Sequence, residues 1–259
     1  MDHREVGRHW NKIAPTWTKL LREGYDYYRD SFNAPAFLEM LPNIKELKGL
    51  DIGCGEGHNT RLLVEQGAQM SAIDISGVFL YLQTRSSRTE ARSATATPAL
   101  WSCHFQRGSF DFATGFMSFM DIPETDKVLK EAFRVLKPGG FLQFSILHPC
   151  FDTPHRVKLR RPDGTTYAYE IGDYFRTLDG EVIEINKPGS PCAKVGFPSI
   201  HIPRFTQTLS QWIDLIVKAG FMIETMNEPR PSDEVVQKYP AVQDSQVLAY
   251  FLHIRGRKS

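Results

Sequence analysis

Three glycines at alternate positions, directly after an apolar strand pattern, constrain this chain more than any other feature. The stretch is Leu50-Asp51-Ile52-Gly53-Cys54-Gly55-Glu56-Gly57-His58, and a helical pattern follows at once. Glycine tolerates positive φ and has no Cβ, so the backbone can turn sharply and approach a bound molecule closely. The helix after the turn presents free backbone N–H groups to that molecule. The stretch predicts a strand–turn–helix unit that binds a nucleotide-like ligand.

A second acidic position supports this prediction. Ser71-Ala72-Ile73-Asp74 has the pattern of the next strand, and Asp74 lies 21 residues after Gly53 (74 − 53). A carboxylate at this spacing can accept hydrogen bonds from ribose hydroxyls. The nicotinamide fingerprint G-x-G-x-x-G would need glycine at position 58, where the chain has His58. The glycine pattern therefore favours a different adenosine-containing ligand.

Taken together, Asp51-x-Gly53-x-Gly55-x-Gly57 resembles motif I of the class I S-adenosylmethionine-dependent methyltransferases, in their small-molecule, type 11-like branch. Lys137-Pro138-Gly139-Gly140, between a helix pattern and the apolar strand 141–147, is a second match. The resemblance implies an α/β fold with a doubly wound, Rossmann-like, seven-stranded sheet whose last strand is antiparallel. It also implies S-adenosyl-L-methionine as cofactor.

Three regions are predicted along the chain. Residues 1–45 carry an aromatic stripe at helical spacing and resemble an N-terminal helical lid. Residues 46–151 and 206–259 alternate strand and helix patterns and are predicted to form the cofactor-binding domain. Residues 152–205 interrupt that domain with strand-like runs around turn signals such as Pro-Asp-Gly at 162–164, which predicts a β-rich substrate lid.

The resemblance assigns roles to residues at matching positions. Amides of the glycine turn would face the methionine portion of the cofactor, the end of the second strand would hold the ribose, and the exit of the fourth strand would wall the methyl group. Asn59, at the helix start, would reach the cofactor carboxylate, and an ordinary polar role at a helix N-terminus is the alternative. The cofactor-binding residues so implied are Asp51, Gly53, Cys54, Gly55, Asn59, Asp74, Ile75, Phe116 and Met117.

Catalysis and substrate contacts rest on fewer signals. A sulfonium is already an activated methyl donor, so positioning supplies much of the barrier reduction, and a base is needed only for some nucleophiles. His148, at the mouth of the fifth strand, is the candidate catalytic base, and a structurally hydrogen-bonded histidine is the alternative. Aromatic side chains of the two lids are the candidate substrate contacts, namely Tyr27, Tyr28, Tyr174 and Phe175.

Composition narrows the range of partners. The 31 Lys and Arg residues nearly balance the 30 Asp and Glu residues, which gives no support for nucleic-acid or anionic-membrane binding. The one basic run, 155–161, alternates like a strand and is interpreted as the solvated face of a hairpin. Four widely spaced cysteines and no carboxylate cluster indicate neither a disulfide framework nor a metal site.

We therefore expect a cytoplasmic enzyme, a monomer or homodimer, that acts on a small and partly apolar molecule. The polar start of the chain has no run suited to a signal peptide or a membrane span. Two alternatives stay open at this point. One is an NAD(P)-binding oxidoreductase, and the other is a cofactor-binding, methyltransferase-like subunit without catalytic activity.

One segment departs from the family pattern. Residues 84–97 contain no Val, Ile, Leu or Phe, so no buried face is expected where the family has its third strand. The residue that would contact adenine after that strand therefore has no assignment. We hypothesise a compensated frameshift over residues 77–107, and a genuine polar loop is the alternative. Resequencing of the gene distinguishes the two.

Overall fold

The computed structural model describes residues 1–84, 93–96, 104–185, 193 and 196–259. The N-terminal region contains α1 (His3–Arg22), one π-helical turn (Arg29–Asn33) and α2 (Ala34–Met40). The first part of the main domain contains β1 (Lys48–Ile52), α3 (His58–Glu65), β2 (Gln69–Asp74), α4 (Gly77–Thr84), β3 (Ser93–Ala96), β4 (Phe110–Phe116), a 3-10 turn (Phe119–Asp121), α5 (Thr125–Val135) and β5 (Leu136–Leu147).

Two pairs of strands follow in the insertion. They are β6 (His155–Arg160) with β7 (Thr166–Gly172), and β8 (Asp179–Ile185) with β9 (Ile200–Phe205), each pair antiparallel. The main domain then resumes with α6 (Leu209–Lys218), β10 (Phe221–Asn227), α7 (Asp233–Lys238), a 3-10 segment (Pro240–Gln246) and β11 (Phe251–Lys258).

The central sheet has the strand order β10-β11-β5-β4-β1-β2-β3. β1 to β5 pair in parallel, whereas β11 runs antiparallel to both of its neighbours. The predicted Rossmann-like α/β class with an antiparallel last strand is confirmed. Because the chain builds outward from β1 in both directions, the carboxyl ends of β1 and β4 border a crevice, which is where ligands bind in such sheets.

Apolar side chains cover both faces of this sheet. Successive residues of a strand point to opposite faces, so Phe112 packs with Leu63 of α3 while Ala113 packs with the α5 and α6 side chains. Leu129 of α5 and Trp212 of α6 are fully or almost fully buried on that second face. These two layers hold the strand ends, and therefore the crevice, in fixed positions.

The N-terminal helix α1 lies between the main domain and the insertion. It begins with a capping box in which the Asp2 side chain accepts from the Glu5 backbone N–H and the Glu5 side chain accepts from Asp2. Its apolar stripe, including Trp17 and Leu20, packs on Ile202 of β9, and the helix also contacts α4. The stripe therefore joins two regions that are far apart in the sequence.

The polar segment that is not expected to have a buried face nevertheless contains a strand. β3 pairs in parallel with β2, with Ser93 opposite Ser71 and Ala96 opposite Asp74. Strand pairing uses backbone groups, so it does not require β-branched side chains. Residues 85–92 and 97–103, which make up much of the frameshift hypothesis, lie outside the described residues, and that hypothesis stays untested.

Two element boundaries differ from the sequence-based expectation. The predicted last strand over 246–254 begins only at Phe251, because residues 240–246 form a 3-10 segment. The Lys137–Gly140 break lies within β5, where Gly139 adopts φ +76° and the pairing with β4 shifts register. In both cases pairing with neighbouring strands, rather than local residue preference, sets the boundary.

No helix in the part of the chain that the structure describes has the length and apolar character that crossing a lipid bilayer requires.

Gly49 of β1 tests the close packing under the crevice. A Cβ there would lie 2.3 Å from Cζ of Phe112 and 2.6 Å from Sδ of Met70. We expect Gly49→Ala to lower the free energy of unfolding by about 1–3 kcal/mol, because the buried ring must leave its position. Gly77→Ala is the matched control, since a Cβ there has no neighbour within 4 Å. Urea denaturation measures both, and equal stability of the two variants would contradict the packing.

Candidate functional site

A cavity of about 980 Å³ opens at the carboxyl ends of β1, β2 and β4. Its walls include the glycine turn after β1, the N-terminal region with α1 and the π-helical turn, and the insertion. The ends of β2, β4 and β5 and the start of β11 contribute further lining residues. The volume is at the upper end of the range for small-molecule sites, so it accommodates a cofactor together with a second small molecule.

The glycine turn has the conformation that its sequence predicts. Gly53 and Gly55 have φ of +73° and +54°, in the left-handed region. A Cβ on Gly53 would lie 2.5 Å from Cβ of Ser118, whereas a Cβ on Gly55 would meet nothing within 4 Å. Gly53 is therefore required by packing, and Gly55 leaves open space at the cavity wall for a bound molecule.

Asp74 connects the glycine turn to the next strand–helix turn. Its Oδ2 accepts the Gly55 N–H at 2.8 Å, and its Oδ1 accepts the Ser76 N–H at 2.8 Å. Burial raises the pKa of Asp74 to about 6, because the loss of solvation outweighs the lowering effect of these hydrogen bonds. The carboxyl group lies at the cavity wall, at the strand end where a ribose is expected.

Asp51 is buried at the end of β1 and also lines the cavity. Its Oδ2 accepts from the Thr60 hydroxyl of α3 at 2.6 Å, and its Oδ1 accepts from the Thr114 hydroxyl of β4 at 3.3 Å. Desolvation raises the pKa of Asp51 to about 6, while these two hydrogen bonds lower it. Asp51 thus joins three elements around the turn as well as lining the cavity.

Glu56, inside the glycine turn, holds the N-terminal helix in place. Its carboxylate is buried, with its side chain 1% exposed, and pairs with Arg22 of α1 at 3.0 Å and with Arg61 of α3 at 2.7 Å. Arg22 also donates to the Leu82 carbonyl of α4. The sequence gives no signal for this contact, because Arg22 lies 34 residues before Glu56.

Asn11 makes a second connection between α1 and the cavity rim. Its Oδ1 accepts from the Ser76 hydroxyl at 2.8 Å and from the Val78 N–H at 3.3 Å, both at the start of α4. Together with Glu56, this contact places α1 over the turns that follow β1 and β2.

Arg29 lies in the π-helical turn and lines the cavity beside the start of α3. Its Nε donates to Asp30 at 2.6 Å and its Nη2 to the Leu21 carbonyl at 3.3 Å. Its Nη1 is buried and has no partner among the described residues. A buried donor without an acceptor is costly unless a ligand completes it, so Arg29 is a ligand-binding candidate that the sequence analysis missed.

Asn33 lies one turn later and is oriented by a buried network. Its Oδ1 accepts from Nε2 of His253 at 2.6 Å and from the Ser145 hydroxyl at 3.3 Å. Burial lowers the pKa of His253 to about 3, so the ring is neutral and Nε2 carries its proton to donate. The amide Nδ2 of Asn33 is left without a partner in the described part of the chain, and the residue lines the cavity.

His148, the predicted base, has a partner at each ring nitrogen. Its Nδ1 accepts the Cys150 N–H at 3.2 Å, and its Nε2 pairs with Glu228 at 2.7 Å. The ring packs on Phe151 and does not line the cavity. Burial lowers the pKa of His148, while Glu228 raises it. A base role would require one of these two partners to be released, and that role stays a prediction.

The other predicted site residues divide into two groups. Tyr174 accepts the Leu209 N–H with its hydroxyl, and Phe175 is 85% exposed; neither lines the cavity, because the loop after β7 carries them to the outside of the insertion. The predicted residues that do line the cavity are Asp51, Gly53, Cys54, Gly55, Asn59, Asp74, Ile75, Phe116, Met117, Tyr27 and Tyr28.

The insertion gives the opposite wall of the cavity a set of charged side chains. Lys158 and Arg160 of β6 line it, although the alternation of their basic run predicts a solvated hairpin face. Lys158 donates to Asp244. Among the described residues of β6 to β9, Glu184 of β8 is the acidic side chain that lines the cavity. Arg204 of β9 completes this wall. Strand alternation in β6 predicts one solvated face, but only pairing and packing decide what the other face covers.

Within the described residues, no group of three or more His, Cys, Asp or Glu side chains is arranged to hold a metal ion.

Known proteins resemble this chain in sequence, in fold or in both. Residues 50–144 match the family described as "Methyltransferase domain". An uncharacterized protein of Haemophilus influenzae is 28% identical over 86% of each chain. A trans-aconitate 2-methyltransferase of Delftia acidovorans is 28% identical over 54% of this chain and 53% of its own, so the chain spans about half of this relative.

A solved structure has the same fold as this chain. The S-adenosylmethionine-dependent methyltransferase of Mesorhizobium loti superposes with a TM-score of 0.69 at 22% identity, covering 86% of this chain and 96% of that one.

The raised pKa of Asp51 predicts that the stability of the protein depends on pH. Its folded pKa of about 6 lies above its ordinary value of 3.8, so the folded protein holds the proton more tightly than the unfolded chain does. This contribution is full below about pH 4 and is lost as the pH rises to about 6. As the pH rises through that window, we expect the free energy of unfolding of Asp51→Asn to increase by about 1–3 kcal/mol relative to that of the parent protein. Urea denaturation without ligand at several pH values measures the difference.

Asp163→Asn, in the exposed β6–β7 turn, is the control for that experiment, because its carboxylate is not buried. A constant stability difference between Asp51→Asn and the parent protein over the whole window would contradict the burial effect.

His148 gives a second prediction. Asparagine can still accept the Cys150 N–H but loses the contact with Glu228, so His148→Asn should reduce stability by about 0.5–2 kcal/mol. Because the ring is outside the cavity, the affinity for S-adenosylhomocysteine should stay within about twofold of the parent value. Thermal denaturation and isothermal titration calorimetry measure the two quantities. A large loss of affinity at unchanged stability would restore His148 to the site.

Proposed function

We propose that this chain, which belongs to the class I S-adenosylmethionine-dependent methyltransferases, methylates a small and partly apolar metabolite. S-adenosylmethionine is the cofactor that the family and its relatives support. One observation carries the proposal: the open glycine turn and the Asp74 carboxyl group meet at one end of a cavity that is larger than a cofactor alone requires. The other end is available for the methyl acceptor.

The residues at the first end fit this cofactor. Gly55 leaves open space where any other residue would place a Cβ, and Asp74 presents a carboxyl group for the ribose hydroxyls. Arg29 has a buried N–H donor with no acceptor in the described ranges, and this donor would bind the carboxylate of the cofactor. Ile75 lies beside Asp74 and would contact the adenine ring.

When bound, S-adenosylmethionine supplies a methyl group on a positively charged sulfur. The protein then has to align the acceptor and exclude water. Phe116 and Met117, at the exit of β4, would form the wall around the transferred group. Met117 is fixed for this task, since its N–H donates to the Ser145 carbonyl at 2.9 Å and its Sδ accepts from the Ser145 hydroxyl. Positioning of this kind supplies on the order of 7–11 kcal/mol in well-oriented reactions.

Apolar side chains at the second end of the cavity support an acceptor that is partly apolar. Ile202, Phe251 and Met120 line it, together with the ring of Tyr28. The Tyr28 hydroxyl donates to Asp244, so its ring edge, not its polar atom, is available to a ligand. We infer an acceptor with a hydrocarbon portion. A monomeric or homodimeric state and a cytoplasmic location stay predictions.

Binding of S-adenosylhomocysteine tests the proposal directly. We expect the parent protein to bind it in isothermal titration calorimetry, and not to bind NAD⁺ or NADP⁺. Asp74→Asn should weaken binding about 10- to 100-fold, because the charged acceptor for the ribose hydroxyls is lost. Asp163→Asn, an exposed acid outside the cavity, should leave the affinity unchanged. Failure of the parent protein to bind S-adenosylhomocysteine would overturn the proposed function.

A further inference from the structure

Arg204 is a buried cation whose side chain has no hydrogen-bond partner among the residues that the structure describes. Its side chain is 6% exposed, and its Nη1 lies 3.2 Å from Oδ1 of Asp121. That contact lacks hydrogen-bond geometry: Nε and Nη1 of Arg204 and Oδ1 of Asp121 are all buried without a hydrogen-bond partner in the described part of the chain. Arg204 is therefore compensated in charge but not in hydrogen bonding.

Other arginines of the chain are satisfied in a way that Arg204 is not. Arg134 donates from Nε and Nη2 to Glu131, and Arg257 donates to both oxygens of Glu224. A guanidinium has five N–H donors, and leaving them unpaired inside a protein costs free energy. An arginine that is at once more deeply buried and less hydrogen-bonded indicates that acceptor atoms from outside the chain complete it.

The position of Arg204 assigns those acceptors to the second end of the cavity. Arg204 is on β9, and its partner Asp121 ends the 3-10 turn that directly follows β4. The wall around the transferred methyl group, Phe116 and Met117, is at the start of that same connection. Arg204 and Asp121 both line the cavity, so a molecule bound beside Met117 lies within reach of the insertion wall.

The insertion wall carries a positive excess. Lys158, Arg160 and Arg204 line the cavity from the insertion, against the single carboxylate of Glu184 among its described residues. Lys158 is neutralised by Asp244. Arg160 makes no side-chain hydrogen bond or ion pair within the described ranges, so its charge, unlike those of Lys158 and Arg204, has no counter-ion there.

We propose that the methyl acceptor is a small organic acid and that Arg204 binds its carboxylate. This inference rests on the proposed function, because it assigns the occupant of the second end of that site. The two oxygens of a carboxylate supply the acceptors that the guanidinium lacks, in charge-assisted hydrogen bonds. Ile202, two residues before Arg204 on the same face of β9, would contact the hydrocarbon part of the acid.

Matched acids and neutral amides test the inference. Parent protein saturated with S-adenosylhomocysteine is titrated with hexanoate and hexanamide, cinnamate and cinnamamide, and succinate and succinamide, with hexylamine as a cationic probe for Glu184. We expect at least one acid to bind about tenfold or more tightly than its amide. Arg204→Gln should weaken binding of that acid about 10- to 100-fold, and Arg204→Lys by less.

The matched control is Arg161→Gln. Arg161 is the next basic residue after β6, its guanidinium lies over the ring of Tyr167, and it does not line the cavity. Arg161→Gln removes the same charge from the insertion, at the β6–β7 hairpin and outside the cavity, so acid binding should be unchanged. Equal weakening by Arg161→Gln and Arg204→Gln would show a general charge effect and overturn the inference.

A second variant covers the case in which Arg204→Gln does not fold. Asp121→Asn removes the counter-charge but keeps the guanidinium, so acid binding should be retained or tightened. If Asp121→Asn abolishes acid binding while binding of S-adenosylhomocysteine persists, the pair is only a structural link between β9 and the 3-10 turn, and the inference is wrong.

The remaining outcomes are equally decisive. Amides that bind as tightly as acids, a preference for hexylamine, or no acid binding from the panel would each overturn the inference. Binding of S-adenosylhomocysteine is measured first in every variant. Its absence in the parent protein means that the proposed function fails, whereas its presence without acid preference means that only this inference fails.

Discussion

The two hydrogen bonds accepted by Asp74 are the constraint on which the rest of the site depends. One carboxylate fixes the N–H of Gly55 in the first strand–helix turn and the N–H of Ser76 in the second. Both turns are therefore held at the same edge of the sheet, with a buried charge between them. The cost of burying that charge appears in its raised pKa, and ribose hydroxyls would add the donors that reduce this cost.

The same edge determines how the cavity is closed. Glu56 binds Arg22 and Asn11 binds Ser76, so α1 is attached to the two turns that Asp74 connects. The other side of α1 packs on β9 of the insertion. A single helix thus contacts both the cofactor end of the cavity and the insertion, which carries the proposed acceptor end.

The two ends of the cavity differ in how their buried charges are satisfied. At the cofactor end, Asp51, Glu56 and Asp74 each have hydrogen-bond donors from the protein. At the proposed acceptor end, Arg204 and Asp121 are close in space but make no hydrogen bond with each other. Because the interior penalises unpaired donors, ligand contacts have most to add at Arg204 in the second end and at the Nη1 group of Arg29 in the first.

The sequence alone determined the features that depend on neighbouring residues. The glycine turn, the acid at the end of β2 and the strand–helix alternation follow from local spacing, backbone freedom and hydrophobic periodicity, and they were sufficient for the fold class and the cofactor. Only the tertiary structure decided which distant side chains share the cavity. His148 faces Glu228, 80 residues away, and Phe175 faces solvent, whereas Arg204 meets Asp121 from 83 positions along the chain (204 − 121). Such contacts arise from packing of the insertion and α1 on the sheet edge, and no local pattern encodes that packing.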